Sequence, residues 1–173
     1  MLKPLEQFVC DACRQVIETA GDGWFEWCED GERQAHSFRI VHHRPECRSS
    51  PETPGLRQHR LDELVGIGNM TRLYGLFDVG LPEEGAVKTL ATLLDRHEFT
   101  DLLLRLTSRY YDEARQYWQQ ARAAGFFEGS SEAMIYQPST FKKIIEQYGA
   151  GQTGDGPDFH PGACHVGGCC DHH

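Results

Sequence analysis

The sequence predicts an α+β fold that is mainly helical, and three changes in pattern along the chain support this prediction. Aromatic and β-branched residues concentrate in residues 24–41, as is typical of strands, whereas apolar residues of the following segment recur at three- and four-residue steps. The C-terminal end turns to Gly and Pro, with few apolar side chains. We therefore expect a small β-hairpin module over residues 1–57, a domain of four or five helices over 58–148, and a flexible tail over 149–173.

The hairpin is predicted from two strand-like runs and the turn between them. Residues 24–28 and 37–41 are the candidate strands, and residues 29–31 offer the turn. Two strands alone are only marginally stable in water, so such a module needs further support. Residues 48–58 hold two Pro, a Gly and several polar residues, and we expect a linker or surface loop there.

The helical part is predicted from apolar periodicity and capping residues. The first helical segment carries the apolar residues of 61–77, and a second opens near Pro82 and is interrupted at Thr100. Asp112 is the expected N-cap of a third helix, and Ser139 that of a short last one. The positions expected to face inward include Leu61, Leu64, Leu73, Phe77, Val87, Leu90, Leu94, His97, Leu102, Leu106, Ala114, Trp118, Ala121, Phe141, Ile144 and Ile145.

The composition argues against two classes of partner. The 173 residues carry 26 acidic and 17 basic side chains, a formal net charge of −9, and acidic residues outnumber basic ones in each predicted part. This balance opposes phosphate-driven binding to nucleic acid or to an anionic membrane. No stretch approaches the roughly 18 apolar residues of a spanning helix, and no signal segment opens the sequence. We expect a cytoplasmic protein whose partner is another protein.

Cysteine and histidine are abundant, with seven Cys and nine His, and most of them gather near the two ends of the chain. In a reducing compartment such groups indicate metal or redox chemistry rather than disulfides. In the first group, the two-residue gap between Cys10 and Cys13 lets both thiolates face one ion. A strand end that carries His42 and His43, followed by Cys47, can complete a tetrahedral Cys3His site for zinc, and the sequence leaves open which histidine binds.

Residues 8–47 resemble the zinc-ribbon and treble-clef class of small zinc modules, with VCDAC as the knuckle and HHRPEC as the second half. Two departures from that class are visible: Arg14 stands where the knuckle usually has Gly, and the second half is not CxxC. The resemblance implies a structural zinc site without a substrate. A competing interpretation makes Cys10 and Cys13 a redox dithiol of the thioredoxin type, and Cys28 is expected to be a buried apolar thiol.

The second group is a dense run of soft and borderline ligands in the predicted tail. Such ligands suit copper, nickel or zinc. The adjacent cysteines near the end resemble the thiol-delivery tail of mercuric reductase, which implies metal transfer. Three alternatives stay open: the tail completes the first site, is a low-complexity appendage, or is a substrate like the Cys-bearing C-termini of ribosomally made, modified peptides. The candidate ligands are His160, Cys164, His165, Cys169, Cys170, His172 and His173.

No catalytic motif accompanies these groups, since GxGxxG, P-loop, GxSxG and HExxH patterns are all missing from the sequence. We therefore expect a non-enzymatic metal-binding protein with a structural zinc site and a tail that binds or transfers a transition metal. The alternatives are a zinc-stabilised adaptor or regulator, a scaffold whose tail is modified, and a dithiol enzyme.

Overall fold

The computed structural model describes residues 1–78 and 91–149, and these residues form an α+β fold, as predicted. The strands in this part of the chain are β1 (Phe8–Val9), β2 (Val16–Ile17), β3 (Gly23–Glu29), β4 (Gln34–His42), β5 (Leu56–Arg60), β6 (Phe77–Asp78) and β7 (Ala91–Leu93). The α-helices are α1 (Met70–Tyr74), α2 (Arg96–Thr107), α3 (Tyr111–Ala114), α4 (Trp118–Ala123), α5 (Glu132–Ile135) and α6 (Pro138–Tyr148). None of these helices is both long enough and apolar enough to cross a membrane.

The strands make two sheets. β1 and β2 pair antiparallel as a small hairpin, and the other five strands form a mixed sheet in the order β5-β3-β4-β7-β6. The predicted hairpin is confirmed, because β3 and β4 are antiparallel neighbours. The prediction of a linker over residues 48–58 is wrong at its end, where β5 pairs with β3 and the Gln58 amide donates to the buried Glu26 carboxylate at 3.0 Å. An edge strand made of polar residues gives no apolar signal, so its pattern is that of a loop.

The expectation of a helical segment over residues 61–77 is wrong in part. Short 3-10 turns at Leu61–Glu63 and Ile67–Asn69 precede α1, and Phe77 begins strand β6. Gly66 separates the two turns with a φ of 87°, a conformation that side-chain-bearing residues rarely adopt. The apolar residues predicted for this segment's core are nevertheless buried, so their spacing reported burial rather than a continuous helix.

The helix predicted to open near Pro82 lies mostly outside the described residues, together with Val87 and Leu90. Where the structure resumes, residues 91–93 form a strand and Leu94 is 57% exposed, so the predicted inward position of Leu94 is wrong. Helix α2 is capped by Asp95 and runs through Thr100, so the predicted break there is wrong. The Thr100 hydroxyl donates to the Arg96 carbonyl one turn earlier at 2.8 Å.

The last helices follow the predicted pattern with different caps. Asp112 lies inside α3 as a buried ion-pair partner rather than as an N-cap. Helix α6 begins at Pro138 with Gln137 as its N-cap, so the expected cap Ser139 is in its first turn. Gly125 follows the end of α4 and has a φ of 73°, as expected of a glycine that ends a helix.

Buried apolar residues form two clusters. The first lies against the sheets and α2, and its members range from Phe8 to Leu106, including Cys10 and Cys47. Both this cluster and strand β5 run across residue 57, the predicted boundary of the hairpin module, and the division into separate folding units stays a prediction. The second, which we name the helical cluster, consists of Tyr111, Ala114, Ala121, Phe141, Ile144 and Ile145.

Candidate metal centre

The turn between β1 and β2 carries the first two candidate ligands. The Cys10 amide donates to the Gln15 carbonyl and the Arg14 amide donates to the Cys10 carbonyl, both at 2.9 Å. Arg14 has a φ of 63°, the left-handed conformation that glycine adopts most easily. Arg14 thus takes up the backbone conformation favoured by the glycine that usually follows a zinc knuckle. The turn brings the thiol of Cys13 close to that of Cys10.

The other two ligands come from the end of β4 and the turn that follows. His42 is the last residue of β4, opposite Gly23 of β3, and the Cys47 amide donates to the Arg44 carbonyl at 3.1 Å. The ligand atoms of Cys10, Cys13, His42 and Cys47, the metal-ligand group, all lie within 4.8 Å of one another. The structure therefore brings together four of the five residues predicted for this site.

Two sulfur-to-nitrogen distances in the metal-ligand group fit a tetrahedral ion. Bonds of about 2.3 Å to sulfur and about 2.05 Å to nitrogen give a sulfur-to-nitrogen edge of roughly 3.6 Å. The His42 Nδ1 atom is 3.4 Å from the Cys13 sulfur and 3.7 Å from the Cys47 sulfur. The Cys10 and Cys47 side chains are buried, with exposures of 0% and 3%, so the inner side of the group is closed by protein.

The histidine that joins the group is held in the orientation that a metal ligand needs. His42 Nε2 lies 3.1 Å from the Val16 carbonyl oxygen. Because a carbonyl only accepts, Nε2 carries the proton and Nδ1 keeps its lone pair towards the sulfurs. The neighbouring His43 is exposed, and its ring stacks on Trp24 with 5.4 Å between centroids, away from the group. Register along β4 thus separates the two candidates that the sequence left open.

The thiols of the group differ in their tendency to ionise. Burial raises the pKa of the Cys10 thiol to about 11. Burial also opposes ionisation of Cys13, but the Gln15 amide and the Arg44 guanidinium outweigh it and lower the pKa of that thiol to about 6. At neutral pH, Cys13 is a thiolate and Cys10 must release a proton when a metal binds.

Arg44 is a functional residue that sequence reasoning missed. Its guanidinium donates to the Cys13 sulfur at 3.1 Å, to the Cys47 sulfur at 3.2 Å and to the Gln15 side-chain oxygen at 2.8 Å. The two thiol groups raise the pKa of the Arg44 guanidinium in return. The only available signal was the position of an arginine between two ligands, in the segment HHRPEC.

Behind the ligands, Asp11 anchors the Cys10–Cys13 turn to the helices. Its carboxylate accepts from Arg105 at 2.6 Å, from Arg115 at 2.5 Å and from the Ile40 amide at 2.7 Å. Arg105 also donates to the Asp112 carboxylate at 2.5 Å. Although burial opposes the charge, the two guanidinium groups outweigh it and hold the pKa of Asp11 below its usual value. We name Asp11, Arg105, Asp112 and Arg115 the arginine–aspartate cluster.

The remaining candidates lie elsewhere. Cys28 is half-buried on β3, outside the metal-ligand group, so the expectation of full burial is wrong. The predicted tail over 149–173 lies, apart from Gly149, outside the described residues. The same holds for its seven candidate ligands, His160, Cys164, His165, Cys169, Cys170, His172 and His173.

Comparisons of the chain with family models, with curated proteins and with solved structures found no match. The function is therefore inferred from the site itself.

Proposed function

We propose that this chain is a non-enzymatic metal-binding protein whose N-terminal centre holds zinc as a structural ion. The observation that carries the proposal is the group of three thiols and one imidazole, with all ligand atoms within 4.8 Å of one another. Four protein ligands complete a tetrahedral shell, so they leave no position for a substrate or a reactive water. Such closed sites stabilise a fold, whereas catalytic zinc sites keep one position open.

Zinc is proposed because it accepts mixed thiolate and imidazole ligands and imposes no geometry against a tetrahedron. The left-handed Arg14 and the β3–β4 hairpin support a zinc-ribbon-like module over residues 8–47. Free thiols in such a site suit a reducing compartment, and we propose the cytoplasm as the location.

The second part of the proposal concerns residues 159–173. We propose that this segment binds copper, nickel or zinc and passes the ion to a partner protein by exchange of ligands. The support is the composition: seven Cys and His residues stand between His160 and His173, with glycines among them. Ligands must lose protons to bind, so the affinity of both sites should fall as the pH falls.

A second candidate function is that of a zinc-stabilised protein-interaction module. It is favoured by two large apolar side chains beside the helical cluster, Met134 and Tyr136, which are 58% and 51% exposed. Tyr136 stacks on Trp118 with 6.1 Å between centroids and thereby extends the helical cluster to the surface. Exposed aromatic residues of this kind are enriched at protein interfaces.

Elemental analysis tests the proposal. The untagged full chain should contain one zinc per molecule plus additional metal, and a chain that ends at residue 158 should keep only the single zinc. His42→Ala should remove that zinc from the shorter chain, whereas His43→Ala, the matched control, should leave it in place. Equal metal content in the full and shortened chains would contradict a metal-binding tail. Absence of metal from both would contradict the centre itself.

A further inference from the structure

The metal-ligand group is protected unevenly. Cys10 and Cys47 are buried, but Cys13 and His42 are only half-buried, so the centre faces solvent on the side of Cys13. Reagents and competing ligands that attack a zinc–thiolate centre must reach a sulfur. The Cys13 sulfur is therefore the most accessible point of attack among the three thiols.

Arg44 stands at this exposed side and connects the two halves of the centre. One nitrogen of its guanidinium, Nη2, is shared between the Cys13 sulfur and the Gln15 side-chain oxygen, while Nε donates to the Cys47 sulfur. Cys13 and Gln15 lie in the turn between β1 and β2, whereas Cys47 lies in the turn after β4. A single side chain thus makes charge-assisted hydrogen bonds to two sulfurs that come from different segments.

The charge of this residue also matches the charge of the centre. Three thiolates and one neutral imidazole around a divalent ion carry a net charge of −1, and one guanidinium neutralises it. Hydrogen bonds to a thiolate stabilise its lone pairs, so they lower the tendency of the sulfur to attack an electrophile or to accept a proton.

We propose that Arg44 is a positioning residue that makes the centre kinetically inert, by donating hydrogen bonds to the sulfurs of Cys13 and Cys47. The inference rests on the proposed function, because it requires a metal at the centre. It also explains how one chain could hold a permanent ion at the N-terminal centre while the C-terminal segment exchanges another. The hydrogen bonds from Arg44 would then be the reason why the N-terminal centre releases its metal more slowly than the cysteines of the C-terminal segment.

The test compares Arg44→Ala with the parent chain, both ending at residue 158 and both loaded with one equivalent of zinc. We expect unchanged zinc content but about tenfold faster transfer of zinc to a chromogenic chelator, because the charge-assisted hydrogen bonds to both sulfurs are lost. Alkylation by iodoacetamide, in which a sulfur–carbon bond forms and iodide leaves, should accelerate similarly. Arg44→Lys, which keeps the charge but carries its donors on a single nitrogen, should restore part of the protection.

Arg48→Ala is the matched control, because Arg48 lies in the same loop but its guanidinium packs 5.1 Å from the ring centre of Trp24. It should leave both rates unchanged. A spectroscopic measurement separates hydrogen bonding from a loss of packing: in the cobalt-loaded protein, the sulfur-to-metal charge-transfer bands should move to lower energy in Arg44→Ala and stay in place in Arg48→Ala.

Equal rates and unshifted bands in Arg44→Ala would overturn the proposal while leaving the metal centre intact. A parent chain that binds no zinc would instead overturn the proposed function. If Arg44→Ala does not retain zinc through purification, Gln15→Ala provides the test instead. This variant removes the hydrogen bond between the Arg44 guanidinium and the Gln15 side chain but leaves all three sulfur ligands in place. This variant should release zinc at an intermediate rate, and parent-like release would count against the proposal.

Discussion

The metal-ligand group, in which Cys10 and Cys47 are buried, and the helical cluster are assembled from different elements. The strands beside Cys10 are two residues long, and the turn that carries Cys47 has no regular structure. Helix α6, by contrast, has 11 residues and buries Phe141, Ile144 and Ile145 on one face. Segments as short as β1 and β2 bury too little apolar surface to be stable alone. We therefore expect the first region to depend on a bound metal and the second on packing.

The arginine–aspartate cluster lies between these two regions and belongs to both. Asp11 is part of the turn that carries Cys10 and Cys13, whereas Asp112 and Arg115 lie in the helical stretch that follows α2. Arg105 on α2 contacts both carboxylates and donates to the Val9 carbonyl at 3.1 Å. Damage to the metal centre should therefore reach the helices through this cluster, through the hydrogen bond from Arg14 to the Gln116 side chain and through the apolar contacts around them.

Removal of a metal ligand should have the largest effect, because it should disrupt the region around the metal centre and leave the helical cluster folded. Binding of a structural zinc ion contributes on the order of 10 kcal/mol to folding. Cys10→Ser should abolish zinc binding and the amide-exchange protection of residues 8–17 and 40–47, while amides of α6 stay protected. Cys28→Ser, outside the metal-ligand group, is the matched control and should keep both. Equal loss of protection in both regions would show that the helical cluster also depends on the bound metal.

Loss of the central arginine should weaken both regions together. Arg105→Leu leaves Asp11 and Asp112 buried with fewer partners, and disruption of a buried ion pair costs about 3 to 5 kcal/mol. The loss should appear in the free energy of unfolding measured with urea, followed by probes in each region. Arg122→Leu, at an exposed position, should change stability by less than about 0.5 kcal/mol. A loss confined to one region would contradict the connecting role of the cluster.

Truncation of a side chain in the helical cluster should lower stability without affecting the metal centre. Phe141 is fully buried and packs against the Tyr111 ring with 5.1 Å between centroids. Phe141→Ala should lower the free energy of unfolding by about 3 kcal/mol, because it removes apolar contacts and leaves a cavity. Zinc content should remain at one per chain ending at residue 158. Loss of zinc from a folded Phe141→Ala protein would mean that the metal centre depends on the helical cluster.

Acid weakens metal binding, and apart from that loss its effect through Asp11 should be the smallest of these effects. The pKa of this carboxyl is lower in the folded chain than in the unfolded one, so its contribution is complete above about pH 4 and is lost as the pH falls through the folded value. The urea midpoint of Asp11→Asn should therefore fall less steeply below pH 4 than that of the parent chain. Glu146→Gln, which alters a surface pair with Lys142, should follow the parent curve.

The parts of the fold that could be predicted depend on local pattern. Runs of aromatic and β-branched residues predict the β3–β4 hairpin. The two-residue spacing of Cys10 and Cys13 predicts that their thiols lie close together. Strand β7 was missed because it is three residues long and its parallel pairing with β4 connects residues far apart in sequence. Such pairing leaves no periodic signal in so short a segment.

The candidate site shows the same limit. The choice of His42 over His43 depends on register, and the register of β3 against β4 shifts between Glu26 and Cys28, which the sequence does not reveal. Arg105 lies on the apolar face of α2 between Leu102 and Leu106, but a charged residue there is expected to reach solvent unless its buried partners are known. Sequence patterns do not reveal which side chains will contact each other when they are far apart in the chain.

X-ray absorption at the zinc edge identifies the atoms that bind the ion at the N-terminal centre. The measurement uses the chain that ends at residue 158, loaded with one zinc, so that the ligands of the C-terminal segment do not contribute. We expect three sulfur atoms at about 2.3 Å and one nitrogen at about 2.0 Å, and the same shell in His43→Ala, which keeps the zinc. A shell dominated by oxygen, or loss of the nitrogen in His43→Ala, would contradict this ligand assignment.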